Sequence, residues 1–321
     1  MATNAAAVSK EDQLKKQSTM NMVRAALPII GLVVVFIVFN ILTKGGMWNS
    51  RKLILNQIYV TMISATGVFF IMTMGGLDFS QGSIMGMASI TVCVLSKTNI
   101  FLAILGGILT GAAIGAFNGF FYVNRKIKSF IVTICSMFLF RGVIKYLASN
   151  SPVAASMAVY DYDTMPVKLS ITLAVLLIGF IAFRFTKFGT YLKAIGAGEK
   201  AAKFAGIRTD RMKFLIYVLS GAITGLAAFV NIVKNGSATA NVGNQLETQI
   251  LIALVLGGMP ISGGAKVRFE NIIVGAMLYT VLNNGLTMMG LTTQAMQLVQ
   301  GVVFLIFVAV FADRQSLSVI K

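Results

Sequence analysis

A succession of apolar blocks, separated by short polar segments, runs through almost the whole chain. Most blocks are about 20 residues long, the length that an α-helix needs to cross the hydrocarbon core of a bilayer. With 57% hydrophobic and 12% charged residues, the chain differs from soluble domains, in which about 25% of residues are charged. The pattern predicts an all-α, polytopic membrane protein with about ten transmembrane helices. The predicted blocks are 22–42, 53–74, 84–95, 99–123, 130–148, 167–185, 214–233, 247–256, 271–290 and 293–312.

The basic residues are unevenly distributed among the polar segments. Segment 187–213 is rich in Lys and Arg, whereas segment 149–166 contains neither. Because basic segments between membrane spans stay on the cytoplasmic face, we predict cytoplasmic N- and C-termini. Residues 1–21 and 313–321 are then cytosolic tails around a membrane domain of residues 22–312. The net charge of +17 is explained by these inner loops, so the expected partner surface is the lipid bilayer and no nucleic acid is expected.

Two glycine-rich segments interrupt the apolar pattern. The first reads GGLDFSQGS at 75–83, and the second reads GGMPISGGA at 257–265. Their weak similarity suggests corresponding positions in two related halves, an arrangement found in many transporters. Irregular backbone at membrane depth is tolerated only where protein or a watery cavity covers it. Asp78 is therefore a candidate functional group, and its local role is predicted to be accepting N–H bonds at the start of the next helix.

Polar side chains inside the apolar blocks are few. The acid and amide candidates are Asp78, Asn118, Glu247, Asn283 and Asn284. Such sparse ionisable content favours passage of a neutral polar solute over a proton pump with a chain of carboxylates. Asn118 lies beside a glycine stripe that is predicted to let two helices approach closely, formed by Gly107, Gly111, Gly115 and Gly119. Arg141, near the outer end of its block, is expected to extend its side chain to the membrane interface.

The residue types present exclude several kinds of chemistry. Histidine is absent, which removes histidine acid–base catalysis and histidine metal ligation. No Gly-Lys dipeptide occurs, so the chain has no P-loop with which to hydrolyse ATP. We therefore expect a transport subunit without catalytic residues, metal site or cofactor of its own, and a membrane-embedded enzyme is disfavoured.

The basic segment 187–213 contains one short helix candidate, which begins at Glu199 and is ended by Gly206. A small Ala-rich helix held at the inner membrane surface is suited to docking into a groove on a cytosolic partner. A solvated basic loop that only fixes the orientation explains the same spacing equally well.

Several motifs, taken together and in order, resemble the membrane permeases of ribose-type sugar ABC importers. GGLDFSQGS at 75–83 resembles the family signature GG(I/L)DLS-x-GS, and residues 256–264 resemble LGG-x-x-(I/L)-x-GG. The sequence LNNGL at 282–286 also matches. In the inner loop, the matching residues are Phe188, Gly189, Ala194, Gly196, Glu199, Ala201, Ala202, Gly206 and Ile207. The resemblance covers roughly residues 55–312.

The chain departs from the family pattern at a few positions. Thr190 stands where Arg is usual, and Phe79 stands where Leu is common. Residues 265–268 read AKVR, where the family often has Arg-Gly and a small residue. This last departure affects the turn itself or a contact with the ATPase.

The resemblance implies a permease subunit of an ATP-binding-cassette importer in the bacterial inner (plasma) membrane. It implies a pair of permease subunits, either two copies or this chain with a paralogue. ABC ATPase subunits, which bind ATP and Mg²⁺, dock on 187–213, and an extracytoplasmic binding protein delivers a ribose-like sugar. The residues implied for ATPase coupling are Gly189, Gly196, Glu199, Ala202 and Gly206. The residues implied for the substrate pathway are Asp78, Ser80, Asn118, Asn283 and Asn284.

Two alternatives remain open at this stage. An ion-coupled secondary transporter would use Asp78 and Glu247 for coupling, although the scarcity of intramembrane acids counts against it. An ABC permease for a different cargo, such as an autoinducer, a polyol or a nucleoside, fits the same motifs.

Overall fold

The computed structural model describes residues 26–311, most of which are helical. The predicted tails, 1–21 and 313–321, lie outside the described residues. The helices are α1 (Ala26–Leu42), α2 (Gly46–Asn49), α3 (Arg51–Thr73), α4 (Gln81–Leu95), α5 (Ile100–Asn124), α6 (Ser129–Leu147), α7 (Met165–Phe185), α8 (Lys187–Ala197), α9 (Glu199–Phe204), α10 (Thr209–Asn235), α11 (Leu246–Leu256), α12 (Glu270–Met288) and α13 (Thr293–Phe311).

Each predicted apolar block corresponds to one helix. For the first block, 22–42, this holds for the residues that the structure describes, which begin at Ala26. Five helices are long and apolar enough to cross a membrane, namely α3, α5, α6, α7 and α10. Helices α1, α4, α11 and α13 are apolar but shorter. The predicted class is confirmed: the chain is a polytopic helical membrane protein.

Helix α3 lies at the centre of the described structure. It contacts α7, α8, α10, α11 and α12, and most of its residues from Ile58 to Thr73 are buried. A helix that is apolar on all sides is stable when other helices surround it. Around it, α7 exposes a row of large apolar side chains, as expected for a surface in contact with lipid.

The glycine stripe of α5 makes the predicted close helix contact, and the structure shows that its partner is α10. A Cβ atom at Gly111 would overlap the carbonyl oxygen of Gly221, and a Cβ atom at Gly221 would overlap that of Gly111. A Cβ atom at Gly225 would likewise overlap the carbonyl oxygen of Gly107, and one at Gly107 would lie 3.0 Å from that of Gly225. The two backbones therefore touch directly, and larger residues at these positions would separate the helices.

Two short strands correct the prediction of a purely α-helical chain. Strand β1 (Val153–Ala154) pairs antiparallel with β2 (Ser237–Ala238), with Val153 opposite Ala238. The pairing satisfies backbone groups in the polar segments 149–166 and 234–246, at positions where no helix supplies the hydrogen-bond partners. A 3₁₀ helix, Met157–Tyr162, follows β1.

The predicted inner segments meet at the other end of α10. The Gly264 N–H donates to the Thr73 carbonyl oxygen at 3.0 Å. A Cβ atom at Gly196 would overlap the same carbonyl oxygen. The two glycine-rich segments and α8 thus contact one another, on the side opposite to the β1–β2 pair.

Candidate functional site

Asp78 lies in the irregular segment between α3 and α4 and is 1% exposed. Its Oδ1 accepts the Ser80 backbone N–H at 2.8 Å and also the Ser80 hydroxyl. Its Oδ2 accepts a bond from Gln81 Nε2 at 2.7 Å. The predicted local role of Asp78, accepting N–H bonds at the start of the following helix, is confirmed.

Further hydrogen bonds join Asp78 to α5 and α10. Asn118 Nδ2 donates to Ser80 Oγ at 2.8 Å, and Gln81 Nε2 donates to Ser220 Oγ at 3.1 Å. The Thr224 hydroxyl donates to Gln81 Oε1. We call this buried set the Asp78 network, and its members are Asp78, Ser80, Gln81, Asn118, Ser220 and Thr224.

Three predicted pathway residues, Asp78, Ser80 and Asn118, therefore lie together in one network that is sealed within the subunit. The sequence reasoning missed Gln81, Ser220 and Thr224. Their spacing on α10, four residues apart on one face of a helix, was the available signal for the last two.

Asn283 and Asn284 belong to a separate set of hydrogen bonds. Asn284 Nδ2 donates to Gln57 Oε1 at 2.8 Å and to the Thr280 carbonyl at 2.8 Å. Asn283 Oδ1 accepts a bond from Gln300 Nε2 at 2.9 Å. These bonds link α12 to α3 and α13, so the five predicted pathway residues fall into two groups. Their contact with a substrate stays a prediction.

A buried ion pair connects α6 with the start of α11. Arg141 Nη2 lies 3.6 Å from Glu247 Oε2, and the two side chains are 13% and 10% exposed. Arg141 also donates to the carbonyl oxygens of Val242 and Gly243, at 3.2 Å each. The prediction that Arg141 extends to the interface is wrong, because a carboxylate and two carbonyl groups hold its guanidinium inside the protein.

The polar sequence of residues 234–246 predicts an outer loop, but part of this segment packs against α4 instead. A Cβ atom at Gly82 would overlap the Gly243 carbonyl oxygen, and Gly243 itself has φ of 69°. Gly82 lies about 20 Å from Leu95, the C-terminal end of α4, at 1.5 Å of rise per residue. Residues 236–245, which we call the re-entrant segment, therefore return to the middle of the membrane domain, where the half-length α11 begins.

At the end of the structure opposite to the β1–β2 pair, α8 and α9 form a corner that is anchored to the rest of the subunit. Cβ atoms at Gly189 and Gly196 would overlap the carbonyl oxygens of Phe183 and Thr73. Ala202 on α9 is 4% exposed. Three of the residues predicted for ATPase coupling thus hold this corner in place from within.

The other two predicted coupling residues, Glu199 and Gly206, fix the ends of α9. Lys213 Nζ donates to Glu199 Oε1. Gly206 has φ of 84°, and the Ile207 N–H donates to the Ala202 carbonyl at 3.1 Å. This arrangement is a Schellman-type helix end, which needs a residue with positive φ. The predicted short helix ended by Gly206 is confirmed.

The outward side of α9 carries a residue that the sequence reasoning missed. The Phe204 side chain is 93% exposed, and the neighbouring Lys200 and Lys203 are exposed as well. An aromatic side chain on a helix that the subunit holds in place is available as an anchor for a partner protein. The signal was present in the sequence, because Phe204 is the one aromatic residue of this short helix.

A series of contacts connects this corner with the Asp78 network. Lys213 Nζ lies 4.9 Å from the centre of the Tyr122 ring, and the rings of Tyr122 and Tyr217 are 5.5 Å apart. The Tyr217 hydroxyl donates to the Leu77 carbonyl at 3.1 Å, one residue before Asp78. Within residues 26–311, no cluster of three or more His, Cys, Asp and Glu residues is placed to hold a metal ion.

Comparison with known proteins places this architecture in a class. Residues 51–308 match the family described as branched-chain amino acid transport system / permease component. The chain belongs to this family of ABC permeases.

Relatives within the class are similar over nearly their whole length. The ribose import permease protein RbsC of Bacillus subtilis is 31% identical over 300 residues, which cover 90% of this chain and 92% of the relative. RbsC of Escherichia coli K12 is 28% identical, covering 86% and 88%. The galactofuranose transporter permease protein YtfT of Escherichia coli K12 is 30% identical, covering 88% and 84%. No solved structure matches the chain significantly.

Proposed function

We propose that this chain is the membrane permease subunit of an ABC importer for a sugar of the monosaccharide type. ATP and Mg²⁺ bind to separate ATPase subunits, and an extracytoplasmic binding protein delivers the sugar. Two permease subunits, identical or paralogous, enclose the passage in the bacterial inner membrane. Relatives named for ribose and galactofuranose support the cargo class.

The proposed topology has ten spans and both termini in the cytoplasm. It is supported by the grouping of segments at the two ends of α10. The basic corner of α8 and α9 lies at one end, and the β1–β2 pair, in segments with few basic residues, lies at the other. The positive-inside rule assigns the first end to the cytoplasm.

The observation that carries ATPase docking is the exposed Phe204 on an anchored helix. Ala202 and Glu199 fix α9 to the subunit, so a force applied to Phe204 moves the corner as a unit. Exposed Lys200 and Lys203 add positive charge at its rim. A groove with apolar walls and an acidic rim on the ATPase complements this surface.

The two acids that an ion-coupled transporter would use are already engaged inside the chain. The Asp78 carboxylate accepts three hydrogen bonds, and Glu247 is paired with Arg141. Neither acid is presented to a passing ion, which favours the ATP-driven importer over the secondary transporter.

The test is co-purification of the tagged chain from its native membrane, with the companion proteins identified by mass. We expect an ABC ATPase, and we expect Phe204→Ser to reduce its recovery at least about tenfold, since exposed aromatic anchors contribute about 2 kcal/mol or more. Phe101→Ser is the matched control, because Phe101 is 76% exposed at the outer end of α5. Equal ATPase recovery with both variants would contradict the docking site. A chain that purifies alone and transports after ATP depletion would contradict the function.

A further inference from the structure

Around the start of α11, the subunit exposes polar side chains where a lipid-facing surface would be apolar. The exposed residues are Asn241, Asn244, Gln245 and Thr248. The midpart of α7 shows the contrast, since its exposed side chains include Leu173, Leu177, Ile178 and Ile181. The two surfaces therefore face different surroundings.

The depth of this polar surface follows from the contacts of the re-entrant segment. Gly243 packs on Gly82, and the Val242 carbonyl lies 3.2 Å from the position of a Cβ atom on Gly86. These α4 residues lie roughly 13–20 Å from the outer end of α4, at 1.5 Å per residue. Arg141, which binds the same turn, lies about 18 Å from the inner end of α6 by the same rise.

Irregular backbone and amide side chains at this depth do not face hydrocarbon, because lipid offers them no hydrogen bonds. They face water, or a solute that replaces water. We propose that Asn241, Asn244, Gln245 and Thr248 line the translocation passage and hydrogen-bond the hydroxyl groups of the sugar. This inference rests on the proposed function and assigns the residues that contact its substrate.

The chemistry of this surface selects a neutral, polyhydroxylated ligand. Each amide side chain offers donors and an acceptor, and each sugar hydroxyl is both donor and acceptor. The charges beneath the surface are paired with each other, since Arg141 and Glu247 lie 3.6 Å apart and are about nine-tenths buried. The exposed groups therefore offer hydrogen bonds but carry no net charge. A net charge would instead favour the binding of ions.

Arg141 and Gly82 act here as positioning residues. Arg141 binds the Val242 and Gly243 carbonyl groups, and the absence of a side chain at Gly82 lets Gly243 approach. Together they hold the turn so that Asn244 and Gln245, which has φ of 63°, point away from the subunit core. A rigid turn on a packed helix keeps its hydrogen-bonding groups preorganised.

The first test measures access of water to this surface in the assembled complex. In a background with Cys93→Ala and Cys135→Ala, single cysteines replace Asn244 or, as the matched control, Leu177, which is 57% exposed. A charged, water-soluble methanethiosulfonate reagent is applied to membrane vesicles. We expect Asn244→Cys to react at least about tenfold faster, because a charged reagent enters hydrocarbon poorly. Equal, slow reaction of both would overturn the proposal, as would a spontaneous disulfide between two Asn244→Cys copies with no labelling.

The second test measures recognition in reconstituted vesicles that contain the whole importer. D-ribose, D-xylose, D-allose and D-galactose are the probes. For a sugar that the wild type imports, we expect Asn244→Leu and Gln245→Leu each to raise KM at least about fivefold, while the melting temperature stays unchanged. Unchanged KM in both variants would overturn the inference and leave the importer function standing. Absence of ATP-dependent uptake by the wild type would instead contradict the proposed function.

Discussion

Two irregular segments reach the middle of the membrane domain from opposite ends, and they differ in whether their polar side chains are buried or exposed. The segment before α4 places Asp78 in a network where every member is buried and joined to a neighbour. The re-entrant segment before α11 lies beside the buried pair of Arg141 and Glu247 and leaves its own amide groups exposed. The difference separates polar groups that hold helices together from polar groups that are free to bind a solute.

The comparison has a physical basis in the cost of unsatisfied polar groups. Inside a protein, a carboxylate without partners is strongly destabilising, so a sealed network specifies one arrangement of α4, α5 and α10. Exposed amides make no such demand on the fold, since water or a ligand satisfies them. Substitutions in the Asp78 network should therefore mainly lower stability, and substitutions in the exposed turn should mainly lower transport.

The largest expected effect on stability is that of Asp78→Leu. The change leaves the Ser80 N–H, the Ser80 hydroxyl and Gln81 Nε2 without their acceptor. Each buried donor that loses its acceptor costs about 1–3 kcal/mol, and three donors are affected here. We expect a much lower melting temperature and yield in detergent, while Asp78→Asn, which keeps one acceptor oxygen, loses less. A stable Asp78→Leu protein that fails only in transport would show that Asp78 acts in transport and is not required for the fold.

The next effect is that of Arg141→Met, which leaves Glu247 without its cationic partner. We expect about 3 kcal/mol of destabilisation, since one buried charge remains uncompensated. The double variant Arg141→Met with Glu247→Gln removes both charges and should recover most of the melting temperature. Identical melting temperatures of the single and double variants would show that the pair is not coupled.

A smaller effect is expected for Tyr217→Phe. The variant removes the hydroxyl that donates to Leu77, next to Asp78, and keeps the ring contact with Tyr122. We expect a loss of about 1 kcal/mol, typical of one hydrogen bond. Tyr122→Phe is the control, because it keeps the ring contact on Tyr217. A larger loss from Tyr122→Phe would contradict the importance of the Tyr217 hydroxyl.

The smallest effect on stability is expected for Asn244→Ala, at the exposed turn. Surface substitutions of this kind change the free energy of unfolding by about 0.5 kcal/mol or less. Sugar uptake should nevertheless fall. Asn244→Ala is therefore expected to impair transport with little loss of stability, whereas Asp78→Leu is expected to impair stability first. A melting temperature lowered as much as in Asp78→Leu would show that the exposed turn is structural.

Much of this architecture follows from the sequence because it depends on local pattern. Apolar block length predicted the helices, the glycine stripe of α5 predicted its close contact, and Gly206 predicted the end of α9. The path of residues 236–245 was not predictable in this way. It depends on Gly82 and Arg141, which lie far away in the sequence and supply the space and the hydrogen bonds for that turn.

The candidate sites divide along the same line. Asp78 was found because a carboxylate in an apolar pattern is conspicuous, and its bond to the adjacent Ser80 is local. Gln81, Ser220 and Thr224 were missed because their roles appear only when α4 and α10 are brought together. On α9, only the structure shows which side chain is available to a partner. Ala202 is buried and Phe204 is exposed on this same short helix.

The most direct test of the account is sugar uptake by sealed vesicles that contain the chain, its co-purified ATPase and the binding protein. The account predicts uptake of a monosaccharide that requires ATP hydrolysis, stops with a hydrolysis-deficient ATPase and persists when ionophores remove all ion gradients. Uptake that proceeds without the ATPase and collapses with an ion gradient would contradict it, and would turn attention to Asp78 and Glu247 as coupling groups.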